Sequence, residues 1–425
     1  MIDTAAAAPI AILIAVQTDR HESVFSVTDS LLELGELART AGLRVGTMVH
    51  QYRDSPHRKT YMGSGKIEEI GQVVAEFSAE VVIADDELTP AQQKTLEQIL
   101  KVKIMDRTAL ILDIFAKRAQ TFEAQLQVEM AQLEYLLPRL TRLWTHLSRL
   151  GGGIGTKGPG EKQLEVDKRQ IRKRISTIRE KLDKIKLQRF TQRERRHELP
   201  LTTVAIIGYT NAGKSTLINQ LTQANVFSEN LLFATLDPTT RRLTLPSNES
   251  ILITDTVGFI QKLPHQLVSS FRATLEEVVD ADLLLHVIDV SHDNWRAMVA
   301  TAEGLLRDLK ADHIPQITVF NKVDALEHID VANPEYLRFP LRCFISAKTG
   351  QRLESLVDSI DQFLASRRKS MTFHIPYSRM DVVNLIHEMG DVSHVDYHSE
   401  VTITATLNTI IGDKIMGDLG THKKN

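Results

Sequence analysis

The sequence predicts a multidomain α/β protein, and three features of the 425-residue chain support this prediction. Strand-like apolar runs alternate with helical patterns over residues 1–117 and again over residues 198–370, as in parallel α/β folds. Between these regions, two heptad seams flank a glycine-rich stretch, which is typical of an antiparallel helical hairpin. After residue 370, strand-like runs around one helical pattern predict a small α+β domain. We therefore expect domains at residues 1–117, 118–197, 198–370 and 371–425.

The composition is that of an ordinary globular protein, with 42% hydrophobic and 25% charged residues. The single cysteine, Cys343, excludes a disulfide framework and a cysteine metal cluster within the chain. The apolar stretch Ala5–Val16 is too short to span a bilayer, and Asp3 rather than a basic residue precedes it. We therefore expect a cytoplasmic protein without a membrane-spanning segment, and we take it to be monomeric.

The first 115 residues alternate strand and helix signals, which favours a parallel sheet. The stretch Tyr61-Met62-Gly63-Ser64-Gly65-Lys66 directly precedes a helical pattern. It is either a second phosphate or RNA contact or an ordinary turn that starts a helix, and the missing P-loop spacing favours the turn. The predicted strands are Ile10–Val16, Leu43–Met48, Val81–Ala84 and Val102–Met105, and the predicted helices are Thr28–Ala41, Lys66–Glu76 and Pro90–Ile99.

The hairpin prediction rests on apolar residues that recur every three or four positions. Pro138 lies inside the first seam and predicts a kink there. The connecting stretch Gly151–Gly160 contains a G-x-G-x-x-G pattern, but a helix precedes it instead of a strand, so we interpret it as a loop. The first seam is Leu126, Met130, Leu133, Leu137, Leu140, Trp144 and Leu147, and the second is Ile171, Ile175, Ile178, Leu182 and Ile185.

The hairpin region is strongly basic. Residues 139–198 contain 18 lysines and arginines against 7 acidic residues, although the whole chain has a net charge of −3. A basic helical arm beside acidic domains is typical of proteins that meet a phosphate backbone with one part only, although a solvated coiled coil is the alternative. Few aromatic residues interleave with the basic ones, so recognition of folded RNA by shape and phosphate contacts fits better than base stacking. The candidate RNA-binding residues are Lys157, Lys162, Arg169, Arg172 and Lys173.

The stretch Leu201–Thr216 reads LTTVAIIGYTNAGKST, a buried strand followed by a P-loop and a helical pattern. Its glycines let consecutive N–H groups point at phosphate oxygens. Lys214 would supply a positive charge to the β- and γ-phosphates, and the Ser215 hydroxyl would ligate Mg²⁺. The predicted phosphate-binding residues are Gly208, Tyr209, Thr210, Asn211, Ala212, Gly213, Lys214, Ser215 and Thr216.

Two segments further along match the switch loops of nucleotide-binding switches. In the first, Thr235 is our choice for the hydroxyl that closes the Mg²⁺ shell, with Thr239 and Thr240 as lesser candidates. In the second, Asp255 would hold Mg²⁺ through a water molecule while the Gly258 N–H contacts the γ-phosphate. The predicted nucleotide-binding residues here are Phe233, Ala234, Thr235, Leu236 and Asp237, followed by Asp255, Thr256, Val257 and Gly258.

Base recognition is predicted at the ends of two later strands. Asp324 can accept hydrogen bonds from N1–H and the 2-amino group of guanine, whereas adenine has the wrong donor pattern. The P-loop, the two switch segments and these two base-site segments make five motifs that follow one another along the chain at the ends of strands. Together they indicate a GTP-binding domain. The base-site residues are Asn321, Lys322, Val323 and Asp324, followed by Ser346, Ala347 and Lys348.

These motifs resemble those of the translation-factor-related GTPases, and their details resemble the HflX family. The marks are Phe233–Arg241 (FATLDPTTR), Asp255–Phe259 (DTVGF), and the glycine tip followed by Glu161 and Gln163-Leu164-Glu165. The resemblance covers nearly the whole chain. It implies a GTPase that binds the large ribosomal subunit and its RNA through the N-terminal region and the hairpin. It also implies that the protein splits or rescues ribosomes under stress.

The predicted catalytic residues are Lys214, Thr235 and Gly258. Many GTPases place a glutamine directly after the second-switch glycine to orient the attacking water, but this chain has Phe259 there. We therefore expect slow intrinsic hydrolysis that accelerates when a partner orders the switches. The alternative is that another polar side chain of the switches orients the water.

Asn211 suggests that a second cation, in addition to Mg²⁺, binds at the P-loop. It resembles the asparagine of GTPases in which K⁺ lies beside the phosphates and supplies positive charge. The equally open alternative is that Asn211 only caps the loop.

The C-terminal region shows no chemistry of its own. Met371–Ile375, the helical Met380–Met389 and the runs Val392–Tyr397 and Glu400–Thr406 predict the α+β domain, with the last two runs forming a hairpin. Its histidines lack metal-ligand spacing. Two other functions stay open for the whole chain: a Ras-like switch that acts on a protein partner, and an NTP-driven RNA remodelling enzyme.

Overall fold

The structure is a computed structural model of the full chain. It describes residues 8–18, 25–143, 159–196, 201–222, 232–233, 236–262 and 277–422, with the side chains of 141–143, 159–164, 189–196 and 420–422 left aside. The chain divides into two compact units. Unit 1 contains Met1–Asp183, Glu229–Asp237 and Ile260–Arg272, and unit 2 contains Lys184–Ser228, Pro238–Phe259 and Ala273–Asn425.

Unit 1 is built on a four-stranded parallel sheet with the order β2-β1-β3-β4. The central strand β1 is almost wholly buried because its run of aliphatic residues is covered on both faces. The predicted parallel α/β fold is therefore confirmed. The strands are β1 (Ile10–Gln17), β2 (Arg44–Tyr52), β3 (Val81–Ala84) and β4 (Lys103–Asp106).

Four helices accompany this sheet, and local capping explains where three of them begin. Ser26 and Asp29 form a capping box at the first helix, and Thr89 and Gln92 form one at the third. The fourth helix was not predicted from the sequence, and it starts where the Asp106 carboxylate accepts from the Ala109 N–H at 2.8 Å. The helices are α1 (Val27–Thr40), α2 (Ser64–Glu76), α3 (Pro90–Leu100) and α4 (Arg107–Arg118).

The predicted pair of long helices is present as α5 (Phe122–Leu143) and α6 (Pro159–Arg196). Ion pairs link them, with Arg174 contacting Glu129 at 2.6 Å and Arg179 contacting Glu134 at 3.4 Å. Helix α5 continues through Pro138. The predicted loop extends too far, because α6 already begins at Pro159, and proline is favoured in a first helical turn. Residues 144–158, which include most of the predicted glycine tip, lie outside the described residues.

Unit 2 contains a six-stranded sheet with the order β10-β9-β8-β5-β7-β6. All neighbouring strands are parallel except β6, which runs antiparallel to β7 at the edge. The edge strand β6 begins at Thr239, which pairs with Asp255. The strands are β5 (Thr202–Gly208), β6 (Thr239–Thr244), β7 (Ser250–Asp255), β8 (Leu283–Asp289), β9 (Gln316–Asn321) and β10 (Arg342–Phe344).

Helices cover both faces of this sheet and bury two clusters. Ile206, Val287 and Ile317 lie in an aliphatic cluster with Leu356 and Ile360. On the other face Phe320 is the centre of an aromatic cluster that includes Trp295, Tyr336, Phe339 and Phe344. The helices are α7 (Lys214–Thr222), α8 (Trp295–Asp308), α9 (Pro334–Leu337) and α10 (Leu353–Ala365).

The end of the chain forms a three-stranded antiparallel sheet with the order β11-β13-β12. Its last two strands form the predicted hairpin, whereas the final helix was not predicted. Lys414 of that helix contacts Asp282 at 2.6 Å, and Arg368 contacts Glu249 at 3.3 Å, so ion pairs attach this part to the larger sheet. The elements are β11 (Arg368–Ile375), α11 (Met380–Met389), β12 (Asp391–Tyr397), β13 (Val401–Asn408) and α12 (Thr409–His422).

Across the described ranges, every helix is too short or too polar to traverse a lipid bilayer. The three domain boundaries that the sequence suggests stay a prediction. Two of them fall inside elements, because α4 extends to Arg118, past the boundary at residue 117, and β11 begins at Arg368, before the boundary at residue 370.

Candidate functional site

The P-loop turn depends on two glycines that no other residue could replace. Gly208 has a φ of +146°, and a Cβ there would lie 2.2 Å from the Val287 carbonyl oxygen. Gly213 has a φ of +95°, and a Cβ there would lie 2.3 Å from Asn321 Nδ2. Both conformations and both approaches require glycine. Asn211 lies between them, exposed and with a φ of +61°, a region that asparagine tolerates better than most residues.

Lys214 is a buried cation enclosed by this turn. It is only 6% exposed, and its ammonium donates to the carbonyls of Gly208 at 3.1 Å and Tyr209 at 2.8 Å. Burial lowers the pKa of Lys214 to about 8, while the Asp255 carboxylate acts in the opposite direction. Because burial disfavours this charge, an anionic ligand would be favoured here.

Ser215 and Asp255 lie together beside the P-loop. The Ser215 hydroxyl donates to Asp255 Oδ2 at 2.7 Å, although 40 residues separate them in the chain. Asp255 is at the end of β7 and Ser215 is at the start of α7. A hydroxyl and a carboxylate are hard oxygen donors of the type that Mg²⁺ prefers, so these residues fit a magnesium site completed by phosphate oxygens.

Gly258 packs directly against the P-loop. A Cβ there would lie 2.9 Å from Lys214 Nζ and 2.9 Å from Thr210 Cα. The next residue is bonded to the same loop, because the Phe259 N–H donates to the Gly208 carbonyl at 3.0 Å and the Phe259 carbonyl accepts from the Thr210 N–H at 2.8 Å. The Phe259 ring is buried, so this position offers no polar side chain to a water molecule.

Asn321 connects the two predicted halves of the nucleotide site. Its Nδ2 donates to the Ala212 carbonyl at 2.8 Å, and its Oδ1 accepts from the Ala347 N–H at 2.8 Å. The structure therefore gives this asparagine a positioning role between the P-loop and the last strand end. Nearby, Asp324 and Lys348 are exposed, so a ligand that arrives from solvent can reach their side chains.

Of the remaining predicted nucleotide-site residues, some make contacts within unit 2, some belong to unit 1, and some lie outside the described residues. Thr256 donates to the Ile206 carbonyl at 2.6 Å, and Thr240 lies in β6 with its hydroxyl 2.9 Å from that of Thr254. Lys322 contacts Asp289 at 2.7 Å. Phe233, Leu236 and Asp237 belong to unit 1, whereas Ala234 and Thr235 lie outside the described residues.

Of the predicted RNA-binding residues, Arg169, Arg172 and Lys173 are exposed on α6. Lys162 lies on α6, but its side chain is outside the described set, as is the whole of Lys157.

Sequence reasoning missed one buried titratable residue beside the site, His286 of β8. Burial, together with the positive charge of Lys214, lowers the pKa of His286 to about 4. The sequence offered only a single histidine inside an apolar run, which does not reveal that a lysine lies nearby.

Comparison with known families matches three consecutive parts of the chain. Residues 28–116 match the GTP-binding GTPase N-terminal family, and residues 118–196 match the GTP-binding GTPase middle region. Residues 203–322 match the family described as 50S ribosome-binding GTPase.

Curated relatives extend over nearly the whole chain. A GTPase HflX from Caldanaerobacter subterraneus subsp. tengcongensis is 46% identical over 406 residues, which are 95% of this chain and 92% of that protein. The GTPase HflX of Escherichia coli strain K12 is 40% identical over 349 residues, 82% of each chain. Among solved structures, a GTP-binding protein from the archaeon Sulfolobus solfataricus in complex with GDP is 24% identical, with a TM-score of 0.46 over 84% of this chain and 99% of that chain.

Replacing Asn321 with alanine should loosen the site. The substitution removes both hydrogen bonds and leaves a buried carbonyl and a buried N–H without that partner, at about 1–3 kcal/mol each. We expect denaturant unfolding to show a loss of about 2–4 kcal/mol. Asn294→Ala is the matched control, because this helix-start asparagine makes no capping bond with its side chain. Equal losses in the two variants would contradict the positioning role.

Acid should destabilise the protein through His286. Its folded-state pKa lies below the unfolded value, so the folded chain excludes a proton that the unfolded chain binds. The contribution is fully present above about pH 6.5 and falls by about 1.4 kcal/mol per pH unit as the pH drops towards 4. We expect His286→Gln to remove this component in unfolding measured at pH 7 and pH 5. Exposed His313→Gln is the control, and an unchanged pH dependence in His286→Gln would refute the prediction.

Proposed function

The chain belongs to the GTPase HflX family, and on that premise we propose that it binds the large ribosomal subunit in its GTP state. In this proposal it splits or rescues ribosomes under stress, and hydrolysis of GTP releases it. The observation that carries the nucleotide part is the enclosure of Lys214 by the P-loop and Gly258, with Ser215 and Asp255 alongside.

GTP binding follows from these contacts. The N–H groups between Gly208 and Thr216 would bind phosphate oxygens, and Lys214 would bridge the β- and γ-phosphates. Ser215 would hold Mg²⁺ directly and Asp255 would hold it through a water molecule. When bound, Mg²⁺ supplies positive charge to the β- and γ-phosphate oxygens.

Guanine would be selected by Asp324, whose carboxylate can accept from both N1–H and the 2-amino group. Asp324 follows closely after Asn321, the last residue of β9, whose side chain is bonded to the P-loop. The carboxylate of Asp324 is exposed and therefore accessible to a bound base. Ser346, Ala347 and Lys348 would contact O6 and the face of the base. Asn321 itself orients these segments through its two backbone partners.

The protein is a GTP hydrolase, and we propose that it is slow when alone. The Gly258 N–H would bind the γ-phosphate, and Thr235 would complete the site from the other switch. Phe259 is held by backbone bonds and buries its ring, so it cannot orient the attacking water. A partner that orders the switches would supply the missing positioning.

The ribosomal part of the proposal rests on the basic helix α6 and on the family match of residues 203–322 to 50S ribosome-binding GTPases. Exposed Arg169, Arg172 and Lys173 present positive charge that suits a phosphate backbone. In this proposal ribosomal RNA contacts these three residues, and Lys157 and Lys162 stay candidates from the sequence.

We also propose K⁺ as a cofactor at Asn211. Its left-handed backbone explains an asparagine by conformation alone, so the alternative of a loop-capping role stays open. Equal hydrolysis rates in K⁺ and Na⁺ would remove the cation from the proposal.

Purified large ribosomal subunits should accelerate GTP hydrolysis by at least about tenfold, because they supply the order that Phe259 does not. We expect Lys214→Ala to abolish the stimulated activity and the exposed control Lys103→Ala to retain it, in steady-state phosphate release. No acceleration, together with no binding to subunits, would refute the ribosomal role and favour a switch that acts on a protein partner.

A further inference from the structure

The carboxyl end of the unit 1 sheet carries a group of acidic residues. Asp85 follows β3 and is 1% exposed, and Asp86 comes next in the chain. Open parallel sheets bind their ligands at this end of the strands. In this chain a lysine occupies the position, because Lys262 Nζ contacts Asp85 Oδ2 and lies 2.6 Å from Asp86 Oδ1.

The rest of the cluster keeps these carboxylates in place. Arg107, 1% exposed, donates to Asp85 Oδ1 and contacts Glu33 at 2.7 Å. Burial raises the pKa of Asp85, but Arg107 and Lys262 outweigh this and lower it to about 2. Asp85 is therefore ionised at neutral pH, and it can hold Lys262 as an ion pair. The Tyr61 hydroxyl donates to Asp86, which orients the second carboxylate.

Lys262 is close in sequence to Gly258, whose N–H is predicted to contact the γ-phosphate, since the chain reads Gly258-Phe259-Ile260-Gln261-Lys262. Phe259 is bonded to the P-loop in unit 2, and the chain enters unit 1 at Ile260. Lys262 has a φ of +52°, which is uncommon for a residue other than glycine and persists only where neighbouring contacts hold it. The ion pairs with Asp85 and Asp86 are such contacts.

The other predicted switch segment is also held within unit 1. The Asp237 carboxylate accepts from the N–H groups of Gln120 at 3.0 Å and Thr121 at 3.1 Å, directly before α5. Phe233 has a φ of +56° and packs edge-on against Phe115, with the ring centroids 4.6 Å apart. Asp237 of the first predicted switch and Lys262, four residues after Gly258, therefore both make their contacts within unit 1.

We propose that Asp85 and Asp86 form an internal receptor for Lys262, which restrains the segment after Gly258 and disfavours GTP relative to GDP. The direction follows from Gly258, which packs against Lys214 where a γ-phosphate would have to bind. In this proposal the γ-phosphate displaces Gly258 from Lys214, and the anchored Lys262 opposes that displacement. This inference rests on the proposed guanine-nucleotide site.

The test is the affinity of the full chain for GDP and for a non-hydrolysable GTP analogue. We expect Lys262→Met to tighten analogue binding by threefold or more while GDP binding changes by less than twofold. Lys103→Met removes an exposed lysine of unit 1 and should change neither affinity. An unchanged ratio of analogue affinity to GDP affinity in Lys262→Met, or an equal change for both nucleotides, would refute the proposed role of Asp85 and Asp86.

A second variant separates the contact from a general loss of charge. Asp86→Asn keeps an oxygen that can accept from Tyr61 but removes the carboxylate charge that faces Lys262. We expect it to shift the ratio in the same direction, and the double variant with Lys262→Met to show no more than the larger single effect. Effects that multiply would overturn the inference. A wild-type chain that bound neither guanine nucleotide would refute the proposed function as well.

Discussion

The burial of the Lys214 ammonium is the constraint on which the rest of the nucleotide site depends. A buried cation is costly unless carbonyls or anions surround it, and here the turn supplies the carbonyls of Gly208 and Tyr209. That geometry needs backbone conformations and close approaches that only glycine allows, at Gly208 and at Gly258. A phosphate ligand would complete the neutralisation, so the same burial that lowers the pKa of Lys214 also selects for an anionic ligand.

Much of this arrangement could be predicted from the sequence because it is local. The P-loop, its strand and its helix follow one another in the chain, and Asp255 ends a strand whose neighbours in the sheet are fixed by the fold. Helix α4 was missed, although the Asp106 cap marks its start, because its first turn directly follows β4. The contacts of Asp237 and Lys262 could not be predicted, because each joins a single side chain to residues more than 100 positions away in the chain.

The two units contain different groups of the proposed nucleotide-binding and switch segments, and the order of these segments along the chain does not suggest this division. The core of unit 2 holds the groups that would bind phosphate and base, and those groups are fixed by backbone bonds and by Asn321. Segments that leave this core contribute Asp237 to the start of α5 and Lys262 to Asp85. Within unit 1, α5 is joined to the basic helix α6 by the ion pair of Glu129 with Arg174.

We propose that GTP, and not GDP, favours binding to the large ribosomal subunit. Cosedimentation of the full chain with purified large subunits, with either GDP or a non-hydrolysable GTP analogue and at two salt concentrations, tests it most directly. We expect binding with the analogue to be at least about tenfold tighter than with GDP and to weaken steeply as salt rises. Equal binding with the two nucleotides, or no binding with either, would contradict it.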